Sequence, residues 1–219
     1  PMARILHTDC PHHGKYAEPG ESEENYATRL ARSLEDMIER EGPETIAAFI
    51  AEPVMGAGGV LIPPRTYFEK IQAVLSRHSI ACIADEVICG FGRTGSWWGS
   101  QTYGIAPDTV TMAKAVTSAY VPMGALTVSE EVYQVLVEAS GRHGVFAHGF
   151  TYSGHPLACA VALKTIEIYE RIDIVAHVQR VAPVFQMRLQ ALSDHPLVGE
   201  ARGVGLIGAL ELMADKRSK

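Results

Sequence analysis

Glu52, Asp85 and Lys114 are the residues whose types and placement could do chemistry. Glu52 closes the apolar run TIAAFIAE (45–52). Asp85 lies at the end of SIACIADE (79–86), and Lys114 closes DTVTMAK (108–114). A carboxylate can hold a proton on a ring nitrogen or bind a cation, and a lysine amine can attack a carbonyl carbon or shuttle a proton. If the three runs are parallel strands of one sheet, all three groups stand on its carboxyl-end edge, where open α/β folds take their ligands. Neighbouring strands are about 4.8 Å apart, so the groups could converge on one small molecule. Polar residues also mark the exit from buried strands, and for any one of these residues alone that plain explanation is the better one. An acid, an acid and a lysine together favour a site.

Three chemistries compete for Asp85. The glycines after it, Gly90, Gly92 and Gly95, have the G-x-G-x-x-G spacing of a dinucleotide site. That motif needs its first glycine at the strand end and a helix opening behind the third. Here Glu86 to Cys89 intervene, and SWWGSQTYG has no helical apolar period. A nucleotide-triphosphatase would need G-x-x-x-x-G-K-[ST] elsewhere. The Gly14-Lys15 pair is followed by Tyr16 and has Asp9 where the earlier glycine should be. The third chemistry is that of pyridoxal phosphate. It requires a lysine to form a Schiff base and a carboxylate to keep the pyridine nitrogen protonated. Asp85 and Lys114 on successive strand ends suit that demand.

The elements that must position these groups are legible. EENYATRLARSLEDMIER (23–40) puts Tyr26, Leu30, Leu34, Met37 and Ile38 on one helical face, and Gly42-Pro43 stops it. A second helix is predicted over 65–78, with Phe68, Ile71, Val74, Leu75 and His78 inward. A fourth strand is predicted at PMGALTVS (122–129), and Ser129 can cap a helix over 130–139. Pro156 opens a long helix, 156–192, that Pro183 should kink or break. Solid apolar strands alternating with helices predict an α/β fold, its mostly parallel central sheet covered by helices on both faces. Beyond residue 192 the pattern changes to Gly-rich strands, 198–204 and 206–212. A domain boundary is therefore expected near residue 192, dividing the chain into 1–192, a core with its connecting helix, and 193–219, the beginning of a second, α+β domain.

Composition narrows the function classes. Hydrophobic residues make up 47% and charged residues 20% of the 219, as in a globular chain rather than a disordered one. The net charge is −6, and basic residues cluster only at Lys216, Arg217 and Lys219, which argues against a nucleic-acid partner. No apolar run is long enough to span a membrane. With no signal peptide at the start, the expectation is a cytoplasmic protein. Cys10, Cys82, Cys89 and Cys159 form no C-x-x-C pair, in keeping with reduced thiols. His7, Cys10, His12 and His13 crowd one segment, but no second ligand pair stands at zinc spacing, so a surface loop and no metal is expected.

Four segments, AEPVMGAGG (51–59), DEVICGFGRTG (85–95), TMAKAVTSAYVPMGA (111–125) and HGFTYSGHPLACAVAL (148–163), closely resemble the class III aminotransferases, pyridoxal-phosphate enzymes of the aspartate-aminotransferase fold type I. The likeness is strongest to the branch using ω-amino acids or amines with pyruvate. It implies that Lys114 bonds the cofactor and shuttles the proton, that Asp85 pairs with the pyridinium, and that Val87 packs on the ring. It implies that Phe150 and Thr151 reach the phosphate bound by a partner subunit, making a homodimer, and that Glu52 lies near the cofactor and the substrate entrance. Ile88 stands where many members have Gln, which leaves the ring-hydroxyl contact unassigned. The family's phosphate cradle, its Tyr-His-Gly segment and its C-terminal arginine have no counterpart in these residues. The alternative expectation is therefore a non-catalytic remnant without cofactor. The partners implied are a small amino donor, not named by the sequence, and a keto acid acceptor.

Overall fold

The computed structural model describes residues 5–216, so Arg217 and Lys219 of the basic cluster lie outside it. The helices are α1 (His13–Tyr16), α2 (Glu23–Glu41), α3 (Tyr67–Arg77), α4 (Gly99–Tyr103), α5 (Glu130–His143), α6 (Pro156–Arg171) and α7 (Ile174–Ala191). The strands are β1 (Ala48–Ala51), β2 (Ala81–Asp85), β3 (Thr109–Met112), β4 (Ala125–Val128), β5 (Val198–Val204) and β6 (Ile207–Leu212). β1 to β4 form one sheet in chain order, parallel from β1 to β3, with β4 antiparallel at the edge. β5 and β6 form a separate antiparallel pair.

Helix α2 is an amphipathic element with clear ends. Ser22 caps it by accepting a hydrogen bond from the Asn25 N–H, and Gly42 stops it at a φ of 89°. Its inward face, Tyr26, Leu30, Leu34 and Ile38, packs with Phe68, Ile71, Val74 and Leu75 of α3 and with Cys82 of β2. Phe49 and Ala51 of β1 pack against the same cluster. Side chains alternate along a strand, so these residues mark the face of the sheet that α2 and α3 cover. The opposite face carries Ile50, Ile83, Thr109 and Val128 in register, then Asp85, Thr111 and Leu126. Among the described residues this row is open at its flanks, with Ile50 58% and Leu126 61% exposed.

Three details differ from the sequence expectations. The third strand ends at Met112, and Lys114 instead opens a turn of 3₁₀ helix, Lys114–Thr117. Ala113 is still extended, and the chain leaves the strand direction at Lys114, whose φ is 46°. The long helix breaks at Asp173, where the expectation was Pro183. Asp173 is left-handed (φ 47°), and its carboxylate accepts from the Ala176 N–H, so it starts α7 as a new helix. Pro183 lies inside α7, which runs through it. The Ser129 cap is as expected, but α5 continues to His143.

The hairpin β5–β6 is fastened by its tip. Gly205 has a φ of 56°, and a Cβ there would stand 2.5 Å from the Arg93 carbonyl oxygen, so only glycine fits. The Leu206 N–H donates to that carbonyl, and the Gln186 side chain of α7 donates to Gly205 and Ile207.

Candidate active site

Register brings the first two candidates side by side. Ala51 pairs with Ala84, so Glu52 follows next to Asp85 on the carboxyl edge of the sheet. Asp85 pairs in turn with Thr111 of β3. Glu52 accepts a hydrogen bond from the Gly56 N–H at 2.9 Å, which closes the turn after β1. Gly56 is required there, because a Cβ would meet the Ile88 side chain at 2.3 Å. A cavity of about 120 Å³ opens beside Glu52, lined also by Ile50, Tyr67 and Phe68.

Asp85 lies on the uncovered face, half-buried. Among the described residues its carboxylate receives one hydrogen bond, from the Val87 N–H at 3.0 Å to Oδ1. Its Oδ2 is left to accept from a ligand. Val87 is half-buried in the turn that this bond closes. Lys114 is exposed, and among the described residues its amine makes no hydrogen bond or ion pair. Its backbone is left-handed, with a φ of 46°, and Ser118 and Ala119 share that conformation. A non-glycine residue there costs about 1–2 kcal/mol, so the lysine turn holds only because its surroundings fix it.

Glu86 escaped the sequence reading. It is fully buried, and its two oxygens accept from the N–H groups of Gly99 (2.8 Å) and Ser100 (2.6 Å). A buried carboxylate is tolerable only when so satisfied. Glu86 thereby ties the Trp97–Trp98 segment to the end of β2. No periodicity marks it, since it simply follows Asp85 in an apolar run.

Phe150 and Thr151 are not joined to this edge. They lie in an exposed segment whose hydrogen bonds are local, with the Phe150 N–H donating to Ser153 and the Ser153 N–H to Phe150. Phe150 is 81% and Tyr152 80% exposed.

His12, Glu200 and Glu211 come within ligand distance of one another. The Arg202 guanidinium already spans the two carboxylates, at 3.1 Å and 2.6 Å, and also donates to the Gly59 carbonyl. It holds the Glu211 carboxyl below the usual carboxylate range. The group is an ion-pair network that fastens the hairpin to the loop after β1.

Residues 3–219 match the family model Aminotransferase class-III. The chain is 59% identical over 216 residues to gamma aminobutyrate transaminase 1, mitochondrial, of Solanum lycopersicum, covering 99% of this chain and 42% of that protein. It is 56% identical to the chloroplastic gamma aminobutyrate transaminase 3 of the same plant, with the same shares covered. Among solved structures it superposes on an omega transaminase from Pseudomonas jessenii in complex with PMP, with a TM-score of 0.98 and 52% identity, over 100% of this chain and 48% of that one. The chain thus spans about half the length of the relatives it matches. The organellar relatives overturn the cytoplasmic expectation. A targeting segment is read apart from the fold, so the folded core does not reveal the compartment.

Proposed function

Because the chain belongs to the class-III aminotransferases, we propose that it supplies the core of a transaminase that moves an amino group from an ω-amino acid or amine to a keto acid such as pyruvate. The observation that carries this reading is a carboxylate at the end of β2 and a lysine just past the end of neighbouring β3; among the described residues the first has an unused oxygen and the second an unengaged amine. These groups fit pyridoxal phosphate. When bound, it supplies an aldehyde that condenses with amines and a ring that accepts electrons from the adjoining carbon. The relatives' names make γ-aminobutyrate the first donor to try.

The residues divide the work. Asp85 would hold a proton on the ring nitrogen; the Val87 N–H fixes its carboxylate, and the Val87 side chain would pack on the ring. The Lys114 amine would bond the cofactor at rest and, once freed, would serve as the base that takes the proton from the substrate Cα. Glu52 shapes the substrate entrance through its bond to Gly56. Phe150 and Thr151 serve the phosphate site of a second subunit, a role supported by the local hydrogen bonding of their exposed segment among the described residues. On this reading the protein works as a homodimer. Residues 1–192 form the large-domain core and residues 193–219 the beginning of a small C-terminal domain, a division that follows the two separate sheets.

The test is spectroscopic. The protein mixed with pyridoxal phosphate is expected to develop the visible band of a lysine-bound cofactor. Borohydride reduction should then leave the added mass on Lys114. Lys114→Ala should show neither, and Asp85→Asn should weaken binding and abolish turnover. No band in the unmutated protein overturns the proposal and leaves a remnant without cofactor.

A further inference from the structure

The lysine turn is held from a distance. Lys114, Ser118 and Ala119 all have positive φ, an arrangement that local sequence does not favour. Within the turn, the Ser118 N–H donates to the Ala115 carbonyl at 3.0 Å, and the Ala119 N–H to that of Lys114 at 3.3 Å. The Ala115 carbonyl has a second lone pair, and it is taken by the Tyr169 hydroxyl of α6, at 3.0 Å. Ala162, Ile166 and Tyr169 lie on one face of α6 and pack around Val116, which is 3% exposed. The Tyr169 ring also leans on Phe91 at 6.2 Å, and Phe91 on Trp98 at 4.9 Å.

We infer that Tyr169 is a positioning residue for Lys114: its hydroxyl, bonded to the carbonyl of the next residue, locks the left-handed turn that aims the lysine amine at the sheet edge. The inference rests on the proposed role of Lys114. Tyr169 touches neither substrate nor cofactor in this scheme. Its loss therefore acts on the step in which Lys114 moves and not on substrate binding.

Tyr169→Phe tests this, since it keeps the ring against Phe91 and removes only the donor. Without cofactor, amide hydrogen exchange at Ser118 and Ala119 should quicken by about tenfold, the upper value of one neutral hydrogen bond, while α2 and α3 exchange as before. Covalent coupling of pyridoxal phosphate to Lys114 should slow, and kcat should fall with KM for the amine unchanged. Unchanged exchange at these amides overturns the inference. So does quickened exchange with coupling and kcat unaltered, because the turn would then not govern the lysine. An unmutated protein that does not couple the cofactor overturns the transaminase reading first, and the inference with it. An unmutated protein that couples and a variant that matches it overturn the inference alone.

Discussion

Asp85 and Glu86 are chain neighbours with opposite fates. Asp85 belongs to the uncovered row of the sheet, where one oxygen stays available. Glu86 points back into the protein and spends both oxygens on backbone N–H groups. Replacing Glu86 with Gln turns one acceptor into a donor facing a donor. A buried unsatisfied group costs about 1–3 kcal/mol, so Glu86→Gln should lower stability by that amount in denaturant titration. A variant as stable as the parent would show that the Glu86 bonds are dispensable. The sequence offered Asp85 because it stands at the end of an apolar run. It could not offer Glu86 or Tyr169, because their partners lie on α4 and on the lysine turn, remote along the chain.

At the scale of elements, the hairpin β5–β6 is tethered at three points: the tip on Arg93, Gln186 of α7, and the Arg202 network with Gly59. The tip is the most demanding. Gly205 and Gly104 both have positive φ, at 56° and 63°, but a Cβ on Gly104 meets nothing within 4 Å. Gly104→Ala should cost only the conformational penalty of a left-handed residue, about 1–2 kcal/mol. Gly205→Ala should cost clearly more, since its Cβ would strike backbone that cannot rotate away. Thermal unfolding of the two variants side by side checks this, and equal losses would show the tip to be loosely docked. Strands and helices themselves were largely legible, through apolar period and the cap Ser129. The break at Asp173 was not, because a single left-handed residue outweighed the proline signal at Pro183.

At the scale of the whole molecule, burial governs reactivity. Burial pushes the thiols of Cys82 and Cys89 up to about 11 and about 12, so neither ionises in neutral solution. Alkylation followed by mass mapping should leave both unmodified in the folded protein and label both in denaturant. Rapid labelling of either in the folded state would contradict the packing described above. The exposed segment with Phe150 and Tyr152, together with the open sheet row, leaves apolar surface available for a second subunit. Sedimentation should accordingly give about twice the 23.7 kDa of one chain. A single-chain mass at high concentration would remove the homodimer.

The sequence by itself determined the alternation of elements, the acid-and-lysine pattern and the family, because hydrophobic period and motif spacing are local properties of a chain. It also placed glycines at a dinucleotide spacing. Their loop instead carries Phe91 into the core beside Val116, and the tip of β5–β6 rests on it. Only the tertiary structure decided where Lys114 stands, beyond the strand in a left-handed turn secured by Tyr169. Strain of that kind persists only when distant residues hold it, and no local window of sequence contains both the strained residue and the groups that restrain it.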